Sequence, residues 1–237
     1  MITLDTAFFK EELFRVFEIN GLSSLIDDER AEKLALLTEI MLEENQKYNL
    51  TAIKETDKII LLHYADSLMT ASLFGENSSV IDVGCGAGFP SVPLAICRPD
   101  LKITAMDSTA KKVNYVDMVS NELSLNITAV CARAEDAAKG ELRERFDIVF
   151  SRAVARTVSL TELCLPLVSV GGYMLALKSI AAKEELEEAK AAIDILGGDT
   201  PILFGSDERN MVIIKKIKKT PKGYPRKAGK ATKEPIK

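Results

Sequence analysis

The sequence predicts an α/β protein: a mostly parallel sheet with helices on both faces, preceded by an all-helical N-terminal extension. Three observations carry that reading. From Ser79 onward, short apolar runs alternate with amphipathic segments, the texture of successive β-α-β units. Before residue 76, apolar positions recur at helical spacing instead. The 237 residues are 47% hydrophobic with no Trp, enough for one sizeable core plus an appendage.

In chain order, residues 4–19 place Phe9, Leu13, Val16 and Phe17 on one helical face, and Asn20-Gly21 ends that helix. A second helix is expected from Asp28 to Lys47, and a third from Asp57, a suitable N-cap, to Leu73. VIDVG (80–84) reads as the first strand. SVPLAICR (91–98) is a short helix, with Pro90 and Pro93 near its start. KITAMD (102–107) and NITAVCA (126–132) are strands flanking a helix over 109–123. FDIVFSRA (146–153) is a fourth strand, SLTELCLPLV (159–168) is helical, and GGYMLALKS (171–179) is a fifth strand. A helix over 181–196 and a last strand over 211–218 complete the pattern. Three segments follow: a helical region 1–75, a sheet domain 76–219 and a tail 220–237.

The net charge of −4 hides an asymmetry. From Lys215 on there are ten Lys and Arg against Glu234 alone. A basic tail on an acidic body points to a polyanion partner, with a solvated flexible tail as the alternative. No apolar run reaches the roughly 18–20 residues of a membrane span, and the N-terminal stretch lacks a basic-then-apolar signal pattern, so a cytoplasmic protein with no membrane partner is expected. Nothing demands a dimer, and a monomer is expected. His63 is the single histidine and no two of the four cysteines form C-x-x-C, so neither a metal site nor a disulfide framework is expected. Cys97, Cys131 and Cys164 are expected as buried thiols, with Cys85 filling a tight turn.

That turn lies in SSVIDVGCGAGFPSVPLAI (78–96). Ligands of open α/β sheets bind beyond the carboxyl ends of the strands, where glycines let the backbone approach closely. Gly84, Gly86 and Gly88 miss the dinucleotide spacing G-x-G-x-x-G by one residue. Asp82 precedes them, and a carboxylate there suits a cationic amino acid moiety better than a pyrophosphate. Asp107, ending the second strand, can accept both hydroxyls of a ribose. Together these fit S-adenosylmethionine; NAD and a turn without ligand stay open. In CARAED (131–136), Ala134 and Glu135 would lie beside the adenine, or simply form a surface loop with a capping acid.

The chain resembles the ribosomal RNA small subunit methyltransferase G family, also called glucose-inhibited division protein B. The resemblance rests on YNLTAI (48–53), HYADSL (63–68), VIDVGCGAGFPSVPLAI, DSTAKKVNYV (107–116), ARAED (132–136), FDIVFSRAVA (146–155), ALKS (176–179) and YPRKAG (224–229). It implies a Rossmann-like S-adenosylmethionine-dependent sheet that methylates N7 of one guanine in 16S ribosomal RNA, with the small subunit as partner. It also carries Gly84, Phe89, Ala134, Glu135 and Arg152 over as cofactor residues. Ser91 and Lys112 stand where the family more often has Gly and Arg.

Guanine N7 has a free lone pair, so its methylation needs no general base, only proximity and orientation. The chain contains neither Pro-Pro, as in amino-methylating N/D-P-P-Y/F loops, nor Pro-Cys, as for carbon-5 methylation. Arg133, Arg152 and Lys178, just past or at strand ends, are candidates to read the N7/O6 edge or nearby phosphates; surface salt bridges are the alternative. Asn49 and His63 would form a wall of the site, with Asp66 and Ser67 bracing it. Lys111, Lys112 and Arg226 would grip the RNA backbone. A methyltransferase for another RNA or a small molecule stays open, as does a non-catalytic nucleic-acid binder.

Overall fold

The computed structural model describes residues 4–152, 154–178, 181–205 and 210–237. Ala153 and Ser179, which fall in two of the expected strands and in two of the family-like motifs, lie outside the described residues. By contact the chain forms two compact units: Met1–Asn77 with Cys85–Ala105 and Thr109–Ala129, and Ser78–Gly84 with Met106–Ser108 and Val130–Lys237.

In the first unit, α1 (Thr6–Ile19) buries Phe9, Leu13, Val16 and Phe17, the face expected from the spacing. The Asp5 carboxylate caps it by accepting the Phe8 N–H at 3.0 Å. Asp27 caps α2 (Asp28–Tyr48) in the same way through the Arg30 N–H at 2.8 Å. The expected third helix is broken into α3 (Thr56–Lys58), a π-helical stretch Ile59–Ala65, α4 (Asp66–Leu68) and a 3₁₀ turn Ala71–Leu73. The widened π turn lets Ile59, Ile60, His63, Tyr64 and Ala65 all be buried, more than one stripe of an ordinary helix would cover. Tyr64 is anchored by a 2.6 Å hydrogen bond between its hydroxyl and that of Thr38. The helices α5 (Ser91–Cys97) and α6 (Ala110–Glu122) belong to this unit.

The sheet has seven strands: β1 (Ser79–Val83), β2 (Lys102–Asp107), β3 (Ile127–Cys131), β4 (Phe146–Arg152), β5 (Val168–Lys178), β6 (Ile202–Gly205) and β7 (Asn210–Lys215). Their order is β3-β2-β1-β4-β5-β7-β6. β1, β4 and β5 pair in parallel, whereas β7 runs antiparallel to both β5 and β6. The second unit adds α7 (Ala134–Ala137), α8 (Thr157–Cys164), α9 (Ala182–Leu196) and α10 (Lys230–Lys233). Ile81, Val149, Leu165, Met174, Val212 and Ile214 belong to its core.

Further details of the second unit depart from the sequence reading. β6 was not expected: all four of its residues are exposed, so ILFG shows no alternation. The helix expected through 168 stops at Cys164, and Leu165–Leu167, which includes Pro166, forms a 3₁₀ turn. β5 therefore starts at Val168 and bulges, since Phe146 pairs with Val168 but Ile148 pairs with Tyr173. A Cβ on Gly172 in that bulge would sit 2.5 Å from the Asp147 carbonyl oxygen, so only glycine fits. Finally, Cys131 is exposed, while Cys85, Cys97 and Cys164 are buried. Burial pushes the Cys97 thiol up to about 12 and the Cys164 thiol up as well.

The tail, expected to be flexible unless it docks on a partner, packs within the second unit. Arg143 donates to the carbonyls of Thr220 and Tyr224, both at 2.7 Å, and Ala231 and Ile236 are buried. At its root, the fully buried Lys216 ammonium donates to Leu165 O at 2.6 Å and Thr220 Oγ1 at 2.7 Å, with Glu144 at 3.4 Å. Burial pushes this lysine down to about 8, against the attraction of Glu144. Between about pH 8 and its ordinary 10.5, the unfolded chain keeps a proton that the native one has shed, so this group makes stability rise with pH. Urea melts across that window should show the rise, and Lys216→Met should remove it. An identical pH profile in the variant would refute the assignment. No helix among the described residues is long and apolar enough to cross a membrane.

Candidate active site

In the second unit, backbone hydrogen bonds knit several strand ends together. The Gly84 N–H donates to Met106 O at 2.8 Å and the Ala132 N–H to Asp107 O at 3.1 Å. Ser151 Oγ donates to Val83 O at 2.9 Å. Asp82 and Asp107 stand at the carboxyl-terminal halves of the neighbouring strands β1 and β2, only 1% and 6% exposed. Gly84 follows with φ +79°, where a Cβ would lie 2.5 Å from Val154 Cγ2. Ionised carboxylates only accept hydrogen bonds, so this pair suits a ligand that presents ammonium and hydroxyl donors and disfavours a phosphate.

Around them, Arg152 is half-buried at the end of β4 and Ala134 is buried at the start of α7. The buried Glu135 side chain is turned to the tail, its Oε1 accepting the Gly229 N–H at 2.7 Å. Arg133 is exposed and makes no ion pair among the described residues. Lys178, expected to position the base or nearby phosphates or else to form a salt bridge, is held in a brace. It donates to the Ala155 carbonyl and pairs with Glu185 at 2.9 Å, and Glu185 also accepts from Thr157 N and Oγ1. Burial opposes ionisation of Glu185, yet the hydrogen bonds from Lys178 and Thr157 prevail and hold its carboxyl below the ordinary range. Arg226, expected on RNA, is likewise committed. Its Nε lies 2.9 Å and 3.1 Å from the two oxygens of Glu162, its Nη2 bonds the same carboxylate, and its backbone N–H donates to Glu162 Oε1 at 2.8 Å. Neither Glu162 nor Glu185 stood out in the sequence, because a helical acid shows its partner only when the tertiary fold is known.

In the first unit, the turn after Cys85 closes with Gly88 N–H donating to Cys85 O at 2.7 Å. Gly86 and Gly88 have φ of +55° and +84°, and a Cβ on Gly88 would meet Val92 Cγ2 at 2.7 Å. The Phe89 ring stacks on His63, with centroids 4.4 Å apart and planes 10° from parallel. His63 Nε2 is 2.9 Å from Thr51 Oγ1. Thr51 is in turn clamped by Asn45, which donates to its carbonyl and accepts its N–H, both at 2.9 Å. The sequence reading singled out Asn49; the structure shows it exposed in the left-handed region at φ 48°, ending α2, with Asn45 doing the bonding. Thr51 lay inside YNLTAI, a signal that could have found it. Asp66 and Ser67 are buried below, Ser67 Oγ donating to the His63 carbonyl. Lys111 lies 4.5 Å from the Tyr48 ring centroid and donates to Lys47 O at 3.4 Å, while Lys112 is exposed. No cluster of His, Cys, Asp and Glu among the described residues could hold a metal ion.

Comparisons with known proteins add to this geometry. The chain is similar to a ribosomal RNA small subunit methyltransferase G of Bacillus cereus, 44% identical over 236 residues, covering 95% of this chain and 98% of the relative. The protein of that name from Bacillus thuringiensis (strain Al Hakam) matches with the same identity and coverage. Among solved structures, a SAM-dependent methyltransferase from Aquifex aeolicus superposes with a TM-score of 0.55 at 19% identity, covering 76% of this chain and 98% of that one. A SAM-dependent O-methyltransferase from Thermotoga maritima gives 0.53 at 14% identity, covering 76% and 72%. These two likenesses establish the fold alone, a Rossmann-like α/β sheet. The family profile for rRNA small subunit methyltransferase G matches residues 30–212, and with the 44% identity across nearly the whole length it shows that this chain belongs to the rRNA small subunit methyltransferase G family.

Proposed function

We propose that this chain is an S-adenosylmethionine-dependent methyltransferase that modifies N7 of a specific guanine in 16S ribosomal RNA. The observation that carries the cofactor assignment is the pair of buried carboxylates, Asp82 and Asp107, on neighbouring strands beside a glycine with no room for a side chain. The membership in a family named for small-subunit ribosomal RNA supports the substrate. In this reading Asp82 faces the cofactor's amino acid moiety and Asp107 the ribose. Gly84, Gly86, Gly88 and Phe89 form the turn, Ala134 and Glu135 lie beside the adenine, and Arg152 is a further cofactor contact. When bound, the cofactor supplies an electrophilic sulfonium methyl group. The chain's own residues then need only place guanine N7 in line and exclude water, because no proton leaves the neutral base at that atom. His63, held flat against Phe89 and fixed through Thr51, positions substrate rather than shuttling a proton. Arg133, exposed and without an ion pair among the described residues, contacts the base edge or a nearby phosphate. The enzyme works as a cytoplasmic monomer, with Lys111 and Lys112 adding backbone grip.

The deciding experiment follows labelled methyl from S-adenosylmethionine to 16S RNA, naked and within small subunits from a strain lacking the gene, and tests the product for 7-methylguanine by strand cleavage. Cleavage at one guanine is expected. Label without cleavage would discard N7, and no label on either RNA would discard the substrate. Asp107→Ala should weaken cofactor binding by about 1–3 kcal/mol, the loss of charge-assisted hydrogen bonds. Calorimetry giving wild-type affinity would move the ribose partner elsewhere.

A further inference from the structure

With Arg226 committed to Glu162, the docked tail presents a different set of cations. Lys139, Lys222, Lys227 and Lys230 line one open cleft of about 520 Å³ with Gly223, Pro225 and Arg226. Among the described residues, no acidic side chain lines it. Lys139 Nζ donates to the Arg226 carbonyl at 3.0 Å, which fixes one of its three donors at the cleft and leaves the others available. Lys222 and Lys227 are exposed and make no ion pair among the described residues. Lys230 has an exposed partner, Glu234, at 3.3 Å. The nearest other acids bond elsewhere: Glu162 holds Arg226, and Glu135 accepts the Gly229 N–H.

We propose that this cleft seats the phosphate backbone of the RNA substrate. The inference rests on the functional reading above and deepens it, assigning the grip to Lys139, Lys222 and Lys227 and giving Arg226 the separate task of anchoring the strap that carries them. Two features favour a polyanion. The positive charge is locally uncompensated. The lysines also sit on backbone already ordered by Arg143, Glu162 and Glu135, so binding need not order a flexible tail. Such contacts fix the register of an RNA without reading its sequence, and each releases counterions.

The test uses the full-length protein with the triple variant Lys139→Ala/Lys222→Ala/Lys227→Ala, and the matched triple Lys→Arg variant. RNA affinity is measured on transcribed 16S RNA between low and moderate salt, alongside cofactor affinity by calorimetry and methyl transfer. The Ala variant should bind RNA at least about tenfold more weakly at low salt, and its slope of log affinity against log salt should fall by roughly two, about 0.7 for each of the three lost phosphate contacts on single-stranded RNA. The Arg variant should keep the wild-type slope, and cofactor affinity should be unchanged in both. If wild type methylates RNA and the Ala variant retains the wild-type slope and affinity, the cleft is not the seat and the functional reading stands. If wild type transfers no methyl to RNA, the functional reading falls and the cleft proposal with it.

Discussion

Arg226→Ala should cost about 3–5 kcal/mol of stability, the usual cost of stranding a buried charge. Glu162 is 1% exposed, and Arg226 supplies it with guanidinium and backbone donors together. In a chain of this size each kcal/mol shifts the melting temperature by roughly 2–4 °C, so a calorimetric scan should register a drop of about 6–20 °C. The deficit belongs to the stranded carboxylate rather than to the lost arginine. Arg226→Met combined with Glu162→Gln should therefore recover most of it, since Gln still accepts the residue-226 N–H while carrying no charge. A melt of the single variant within a degree or so of wild type would mean that the ion pair does not hold the tail. The same pair changes how a deletion of residues 220–237 must be read. That deletion strips the exposed tail lysines, and it also uncovers Glu162 and takes from Glu135 its Gly229 partner. Lost turnover in the deletion would not isolate the basic charge, whereas point variants at the exposed lysines do.

Gly84→Ala should destabilise the fold by about 2–5 kcal/mol and weaken cofactor binding. Two independent costs meet at this position. The left-handed backbone at φ +79° costs an L-residue about 1–2 kcal/mol, and forcing the new methyl against Val154 Cγ2 at 2.5 Å costs roughly 1–3 kcal/mol more. Adding Val154→Ala should return the steric part and leave the conformational part, so a double-mutant cycle separates them. Restoration of neither stability nor affinity in the double variant would remove Val154 from the account.

The pattern of alternating strands and helices, the glycine turn and the two acids flanking it were legible because each is a local property of the chain. Period, turn chemistry and a carboxylate at a strand end can be read without knowing what lies opposite. What was not legible depended on long-range partners. For Lys178 the sequence leaves a substrate contact and a salt bridge both open, and its pairing with Glu185, on a later helix, shows only in the fold. Arg226 looked like part of a loose basic tail until Glu162 claimed it. Asn49 drew attention inside a motif, yet its left-handed backbone ends a helix, and Asn45 makes the clamp on Thr51. The edge strand Ile202–Gly205 escaped notice because it is exposed on every residue and so lacks the burial alternation by which strands announce themselves. The break in the third helix escaped because a π turn keeps the helical composition while shifting which side chains face inward.

The Glu162–Arg226 pair has a consequence for how the chain is made. Glu162 leaves the ribosome before Arg226, with β5, α9, β6 and β7 synthesised in between. During that interval the carboxylate has neither its guanidinium nor its backbone donor, and water must solvate it. Helix α8 thus cannot settle dry into the core until the strap arrives, and Glu135 gains its Gly229 contact in the same late event. A nascent chain halted after β7 would carry every strand of the sheet but neither the donors that Arg226 gives Glu162 nor the Gly229 N–H that Glu135 accepts.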